Sequence, residues 1–332
     1  GVPISAGGVN IWKNYFQYLD HLYNPQEYPL SEDMLFHPSH AGMDVDVLVV
    51  AQHGIASLLE VLSVIENGGR GEVWKKGSGE RFEHIPNLCL PGEDGFAFTK
   101  MMEEKVNYDE DYTRWDLVEE IPEKVPVRTS IGCPYRCRFC DFCHLFPKIF
   151  MRSQESMAAE LALIKKRLGN NLALIHVTDD NVFITKKRLF EVCNTLSGSG
   201  LNHWVGFMRG GEYTDGEMEA IKRSGLMMGK IGVESGDQGQ LDRMNKRQKA
   251  EKVKKGIEQF DAEGISILLT FVVGFPGETQ QSIGNTIDFL NDLSLDNLSV
   301  GYQLYPLLVF PLSELANPAT RKKWQIDGIL DK

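Results

Sequence analysis

Between residues 125 and 310, six short apolar runs alternate with five helical patterns. The runs are Val125–Ile131, Leu172–Val177, Trp204–Phe207, Met227–Val233, Ile265–Val273 and Leu298–Leu304. Helical periodicity covers Ser156–Arg167, Lys186–Ser197, Asp215–Ser224, Glu251–Glu263 and Thr279–Leu293. Strand followed by helix, repeated, selects an α/β fold with a parallel sheet, because parallel neighbours need a crossover. Such crossovers are right-handed, so six units make a partial (β/α)6 barrel. Five strand ends also carry unusual residues: a cysteine loop, Asp179-Asp180, Arg209, Glu234-Ser235 and Gly274-Phe-Pro-Gly277. Alone, an Asp pair is more often a helix N-cap and Gly-Phe-Pro-Gly a plain turn. At successive strand ends they ring the carboxyl mouth, where barrels of this kind build active sites.

The cysteine loop is the most chemical of these clusters. Cys133, Cys137 and Cys140 follow a C-x3-C-x2-C spacing and make up half of the chain's six cysteines. Three converging thiolates can hold a cubane iron–sulfur cluster and leave one iron open to a ligand. Other readings are buried small hydrophobes, a zinc site that recruits Cys143, and a disulfide framework. Zinc sites usually pair two separated C-x2-4-C units, which this loop does not. Disulfide frameworks belong to short cysteine-rich secreted chains.

Composition narrows the class. At 332 residues, 42% hydrophobic and 24% charged, the chain can bury a full core as one large domain or two ordinary ones. A net charge of −11 argues against a broad nucleic-acid surface. Lys148, Arg152, Lys165, Lys166 and Arg167 read as solvated helix and loop positions. No run reaches the roughly 18 apolar residues of a membrane span, and no signal peptide is visible. The expected setting is a reducing cytoplasm. The chain lacks an initiator Met and shows no clear stop at Ile329–Lys332, so it reads as a fragment or as beginning mid-domain.

The first section looks like part of a doubly wound α/β unit. Val2–Ala6 and Val45–Val50 read as strands, Gly7-Gly8 as a turn, and Ser57–Glu66 as a helix with its face at Leu58, Leu59 and Leu62, ended by Gly68-Gly69. Prolines 86, 91, 122 and 126 and many acidic residues make the following stretch an irregular linker. The expected divisions are 1–75, a linker 76–124, the barrel 125–310, and a C-terminal extension 311–332 that reads as truncated.

Cys133-x3-Cys137-x2-Cys140 after a first strand, with Glu234-Ser-Gly236 and Gly274-Phe-Pro-Gly-Glu-Thr279 at later strand ends, resembles the radical S-adenosylmethionine (radical SAM) enzymes over about residues 120–310. The resemblance implies that the three cysteines hold a [4Fe–4S] cluster whose fourth iron is chelated by SAM. It implies that Phe139 packs near the adenine, that Glu234 and Ser235 contact the ribose and methionine part, and that Arg209 grips the SAM carboxylate. The family's Gly-Gly-Glu normally follows strand two; here Thr178–Asp180 occupies that place, and Asp180 is the candidate contact. Gly210-Gly211-Glu212 follows strand three and is not assigned the role. Cys143 lies outside the pattern, and Cys89 and Cys193 read as buried single thiols.

Val2–Gly8, Asp44–Val50 and the Leu-rich helix resemble the later half of the cobalamin-binding domain that precedes the barrel in one branch of the family. Ala51-Gln-His-Gly54 stands where that branch often has Gly-Glu-Gly-Glu, and the Asp-x-His-x-x-Gly ligand motif is absent. A purely structural α/β domain is the alternative. His37, His40 and His53 read as loop histidines.

The implied reaction is reductive SAM cleavage coupled to cobalamin-dependent methyl transfer to an unactivated carbon or phosphorus centre. The resemblance also implies a small-molecule or peptide substrate and an electron donor such as flavodoxin or ferredoxin. The alternatives are a cyclase, rearrangement or sulfur-insertion enzyme without cobalamin, and a non-catalytic iron–sulfur sensor.

Overall fold

The structure, a computed structural model, describes residues 5–7, 47–51, 54–67, 82–91, 95–103, 105–169, 171, 173–295, 300–310 and 312–326. Gly8, His37, His40, His53 and Gly68-Gly69 lie outside the described residues. The chain divides into two compact units, Gly1–Val106 and Asn107–Lys332.

The first unit holds a four-stranded sheet of β1 (Ser5–Gly7), β2 (Val47–Val49), β3 (Leu88–Pro91) and β4 (Phe96–Phe98), in that order. β1 and β2 are parallel and the remaining pairs antiparallel. β3 and β4 arise in the stretch expected to be irregular. The apolar run Leu88-Cys-Leu90 is too short for periodicity to announce a strand, yet all three residues are buried. The helix Ile55–Asn67 follows β2 as expected, but with a different inner face. Ser57 and Val61 are buried, whereas Leu58, Leu59 and Leu62 are exposed.

The second unit carries the repeating part. β5 (Lys124–Val127) and the short hairpin β6 (Ser130–Ile131) and β7 (Phe150–Met151) flank the cysteine loop. β8 (Leu174–Val177), β9 (Trp204–Arg209), β10 (Leu226–Glu234), β11 (Ser266–Val273) and β12 (Val300–Pro306) follow. The six long strands form one sheet in the order β12-β11-β10-β9-β8-β5, and every pair is parallel. This is the expected α/β architecture of six units, with β5 and β12 at its edges. Helices Gln154–Leu168, Lys186–Ser199, Asp215–Arg223, Ala250–Ala262 and Gln280–Asn291 fill the crossovers.

Side chains alternate between the two faces of each strand. Val125, Val127, Ile175, Val177, Trp204, Met208, Ile231, Val233, Ile267, Leu269 and Phe271 enter the core shared with the helices. The intervening residues therefore face the other side, the inner face of the sheet.

Arg152 is not the solvated position that its sequence context suggests. Its side chain is buried, ion-paired to Glu160 at 2.5 Å, and donates to Ser156 and to the Arg128 carbonyl. Trp115 Nε1 donates to the same Glu160 at 2.9 Å. Eight residues separate the two charges, too far to meet within a single helix. Arg152 precedes the helix, so the pairing is invisible to i,i+4 reasoning.

Among the described residues, no helix is long and apolar enough to cross a membrane.

Candidate active site

The Asp pair after β8 organises the entrance to the cysteine loop. Asp179 accepts from the Thr129 amide at 2.7 Å, the Thr129 hydroxyl at 2.5 Å and the Ser130 hydroxyl at 2.7 Å. Burial pushes its carboxyl above the usual range, while these donors pull it back. Asp180 accepts from the Gly132 amide at 3.0 Å. The pair is therefore not a helix cap; Thr185 caps the next helix, accepting from the Arg188 amide at 3.1 Å.

Gly132 turns the chain into the loop at φ +90°, which favours glycine. A Cβ there would lie 2.9 Å from the Lys148 carbonyl oxygen and 3.2 Å from that of Phe146. Gly132→Ala is expected to shift the loop backbone and lower iron incorporation on anaerobic reconstitution by at least about half, since strain of this kind costs roughly 1–3 kcal/mol. Iron per protein measures it, and wild-type loading would refute it.

Distant segments hold the far side of the loop. The Arg138 amide donates to the Met244 carbonyl at 3.0 Å, and Asn245 Nδ2 to the Arg136 carbonyl at 2.6 Å. Arg138 Nε pairs with Glu314 at 2.8 Å, and the Leu315 amide donates to the Arg138 carbonyl at 3.3 Å.

These constraints bring Cys133, Cys137 and Cys140 to one cavity of about 370 Å³. Phe139, Asp180, Arg209 and Glu234 line the same cavity. The Arg209 guanidinium lies 3.6 Å from the Tyr135 ring centroid, donates to the Lys246 carbonyl, and points one nitrogen at the Cys137 sulfur, 3.9 Å away. Glu234 has a left-handed backbone, φ +65°, at a bulge ending β10. It is buried and paired to Lys246 Nζ at 2.6 Å. Ser235 is buried but is not part of the cavity wall; its hydroxyl lies 3.1 Å from that of Thr286 and accepts from the Asp237 amide at 3.1 Å.

The thiols suit a cluster. Among the described residues, no three His, Cys, Asp or Glu side chains close on a single point. The three cysteines instead share a cavity wall, as when each thiolate takes a different iron. Burial pushes Cys140 up to about 12 and raises Cys133, so a bound metal must draw both into the thiolate form. Cys143 is buried, with its sulfur 3.7 Å from the Cys140 carbonyl oxygen. Cys89 and Cys193 are buried single thiols, as expected, and burial pushes each to about 12.

Lys246, His176 and Tyr135 were not found from the sequence. Lys246 sits between two left-handed residues, Asn245 at φ +52° and Arg247 at φ +51°. Asn245 is the only local hint, because Asn tolerates this region better than most residues. Gly210-Gly211 has a packing role: a Cβ on Gly256 would lie 1.9 Å from the Gly211 carbonyl oxygen, so the loop and that helix touch backbone to backbone. Glu212 makes only a 3.8 Å exposed pair with Lys255.

Residues 127–290, which contain all three loop cysteines and every strand-end cluster from Asp179 to Gly277, match the family described as the Radical SAM superfamily. The chain belongs to the radical SAM superfamily. Membership implies a [4Fe–4S] cluster and SAM as cofactors. An uncharacterized methyltransferase of Pyrococcus horikoshii is 27% identical over 172 residues, 51% of this chain and 37% of that protein. An anaerobic magnesium-protoporphyrin IX monomethyl ester cyclase of Rubrivivax gelatinosus is 24% identical over 168 residues, 50% of this chain and 30% of that protein. The chain thus spans well under half the length of these relatives. Among solved structures, the cobalamin-dependent SAM radical enzyme OxsB, with aqua-cobalamin and SAM bound, aligns over 97% of this chain and 48% of its own. Its TM-score is 0.65 at 16% identity, a likeness of fold. The radical SAM methyltransferase TsrM from Kitasatospora setae, with cobalamin and a [4Fe–4S] cluster bound, aligns over 94% of this chain and 56% of its own, with TM-score 0.60 and 16% identity.

Proposed function

We propose that this chain is the core of a cobalamin-dependent radical SAM methyltransferase acting on an unactivated carbon or phosphorus centre. The observation that carries the radical SAM part is the single cavity shared by three cysteines, Phe139, Asp180, Arg209 and Glu234. The methyl-transfer part is supported by a relative named as a methyltransferase and by alignments to OxsB and TsrM that extend over both units.

In this reading Cys133, Cys137 and Cys140 hold the cluster, which supplies the electron for reductive cleavage of SAM. Phe139 offers an apolar face to the adenine. Arg209 is free of an acidic partner among the described residues. It is placed to pair with the SAM carboxylate. Its guanidinium also donates towards Cys137, which stabilises negative charge on that sulfur. Glu234 and Asp180 supply acceptors for the SAM amino and hydroxyl groups, whereas Ser235, turned to Thr286 and the Asp237 amide, is left out of that role.

Arg209→Ala is expected to weaken SAM binding by roughly 1–3 kcal/mol, the scale for a charged hydrogen bond. SAM perturbation of the electron-spin spectrum of the reduced cluster reads this, and an unchanged titration would retire the assignment. The reaction itself is tested with the complete gene product, cobalamin, SAM and a reductant. Both S-adenosylhomocysteine and 5′-deoxyadenosine are expected. The first reports methyl transfer from SAM and the second its reductive cleavage.

The second reading is a cyclase, rearrangement or sulfur-insertion enzyme, which the relative named as a cyclase favours. A protein that makes 5′-deoxyadenosine but neither binds cobalamin nor yields S-adenosylhomocysteine would establish it over methyl transfer.

A further inference from the structure

Among the described residues, Lys230 on the inner face of the sheet has no carboxylate in ion-pair contact. Strand alternation turns Lys230 of β10 and His176 of β8 away from the helix-packed core that takes Ile231, Ile175 and Val177. Lys230 is half-buried between two rings, with its ammonium 5.6 Å from the Phe207 centroid and 5.7 Å from that of Tyr305. His176 and Phe207 belong to the wall of the cysteine cavity. Lys124, at the start of the edge strand β5, faces the same way.

Among the described residues, no carboxylate pairs with Lys230, Lys124 or His176. The neighbouring Lys246 shows the contrast, since Glu234 neutralises it at 2.6 Å. Ring faces attract an ammonium but carry no net charge, so they do not cancel its field. The field is felt locally. His176 is held below its ordinary value, by burial first and then by Lys124 and Lys230. Two lysines beside an imidazole whose charged form burial and they disfavour, next to a cavity with an aromatic wall, make a setting that an incoming anion relieves.

We propose that Lys230, with His176 and Lys124, recognises an anionic oxygen group of the substrate, a carboxylate or a phosphate, attached to an apolar or aromatic body that packs on Phe207 and Tyr305. This rests on reading the cysteine cavity as the radical SAM site and names the class of molecule placed before it. Lys230 is then a specificity-determining residue. The SAM carboxylate is assigned to Arg209, on the cysteine side of the cavity.

The test is binding of small probes to the cluster-loaded protein, with saturating SAM present, by isothermal titration or ligand-observed NMR. Benzoate and phenyl phosphate are each compared with benzamide, which has the same ring and no charge. At least one anion should bind about ten-fold or more tightly than benzamide, the scale of one charge-assisted hydrogen bond. Whichever of the two is preferred identifies the group. Lys230→Met should lose that preference at unchanged thermal stability, and Lys230→Arg should keep most of it. Should Lys230→Met fail to fold, Lys230→Gln replaces it, and the comparison on wild-type protein needs no variant.

Equal binding of benzamide and both anions by the wild type would overturn the proposal. So would an undiminished preference in folded Lys230→Met, or displacement of the anion by SAM. Binding is read without turnover, so the two readings fail separately. A protein that cleaves SAM but shows no anion preference loses this inference alone. One that prefers anions but never cleaves SAM loses the functional reading.

Discussion

Replacing any one of Cys133, Cys137 and Cys140 with Ala is expected to remove nearly all of the visible iron–sulfur absorbance after anaerobic reconstitution. The wild type should hold about four irons per chain, as one cubane requires. Cys143→Ala should retain most of the iron, because Cys143 is buried outside the wall that the other three share. Iron analysis and electron-spin spectra measure both outcomes. Stoichiometric zinc without iron would overturn the cluster assignment, and loss of iron in Cys143→Ala would make that thiol a fourth ligand.

Lys246→Met should be the most destabilising single change near the cavity that touches no cysteine. Both partners of the Glu234–Lys246 pair are over nine-tenths buried, with side-chain exposures of 8% and 6%. Removing one leaves the other charge uncompensated, at a cost of about 3–5 kcal/mol. For a unit of this size that is a fall in Tm of roughly 6–20 °C. Glu234→Gln with Lys246→Met should be milder than Lys246→Met alone, because no lone charge remains. Scanning calorimetry of the single and double variants checks the ordering. A double variant less stable than Lys246→Met would show that Glu234 holds its left-handed backbone for another reason.

Much of the second unit was legible because periodicity and strand-end residues agreed. Apolar runs predicted β8 to β12 to within a few residues, and the intervening helices likewise, since the first four bury an apolar stripe against one sheet; in Gln280–Asn291 only Ser282 and Phe289 are buried. The N-terminal unit was less legible. The helix after β2 was found, but Leu58, Leu59 and Leu62 were assigned inward although the inner stripe runs through Ser57 and Val61. A hydrophobic count cannot tell adjacent stripes of one helix apart when both are apolar. β3 was missed because its partner residues come from β2 and β4, information that no local window contains.

The site shows the same division. The cysteines, Asp180, Arg209 and Glu234 stand at strand ends, and sheet topology alone collects them. Lys246 reaches the cavity from the loop between a short helix, Gln238–Arg243, and the helix Ala250–Ala262, flanked by two left-handed residues that composition does not announce. Arg152 looked like a surface cation because its partner Glu160 is visible only once Trp115 and the β6–β7 hairpin are in place.

The anchoring of the cysteine loop also bears on when the protein can be matured. Arg136 and Arg138 are tied to residues 243–245, and Arg138 again to Glu314 and Leu315, more than a hundred positions downstream. While the ribosome is still adding those residues, the nascent loop has emerged with its thiols exposed and its mooring points unmade. Metal delivered then would meet a floppy tripeptide-like chelator open to any soft ion. Insertion of the correct cluster is therefore expected only after residues 243–245, 314 and 315 have been made and have packed against the loop, and its thiols must stay reduced and unmetallated until then.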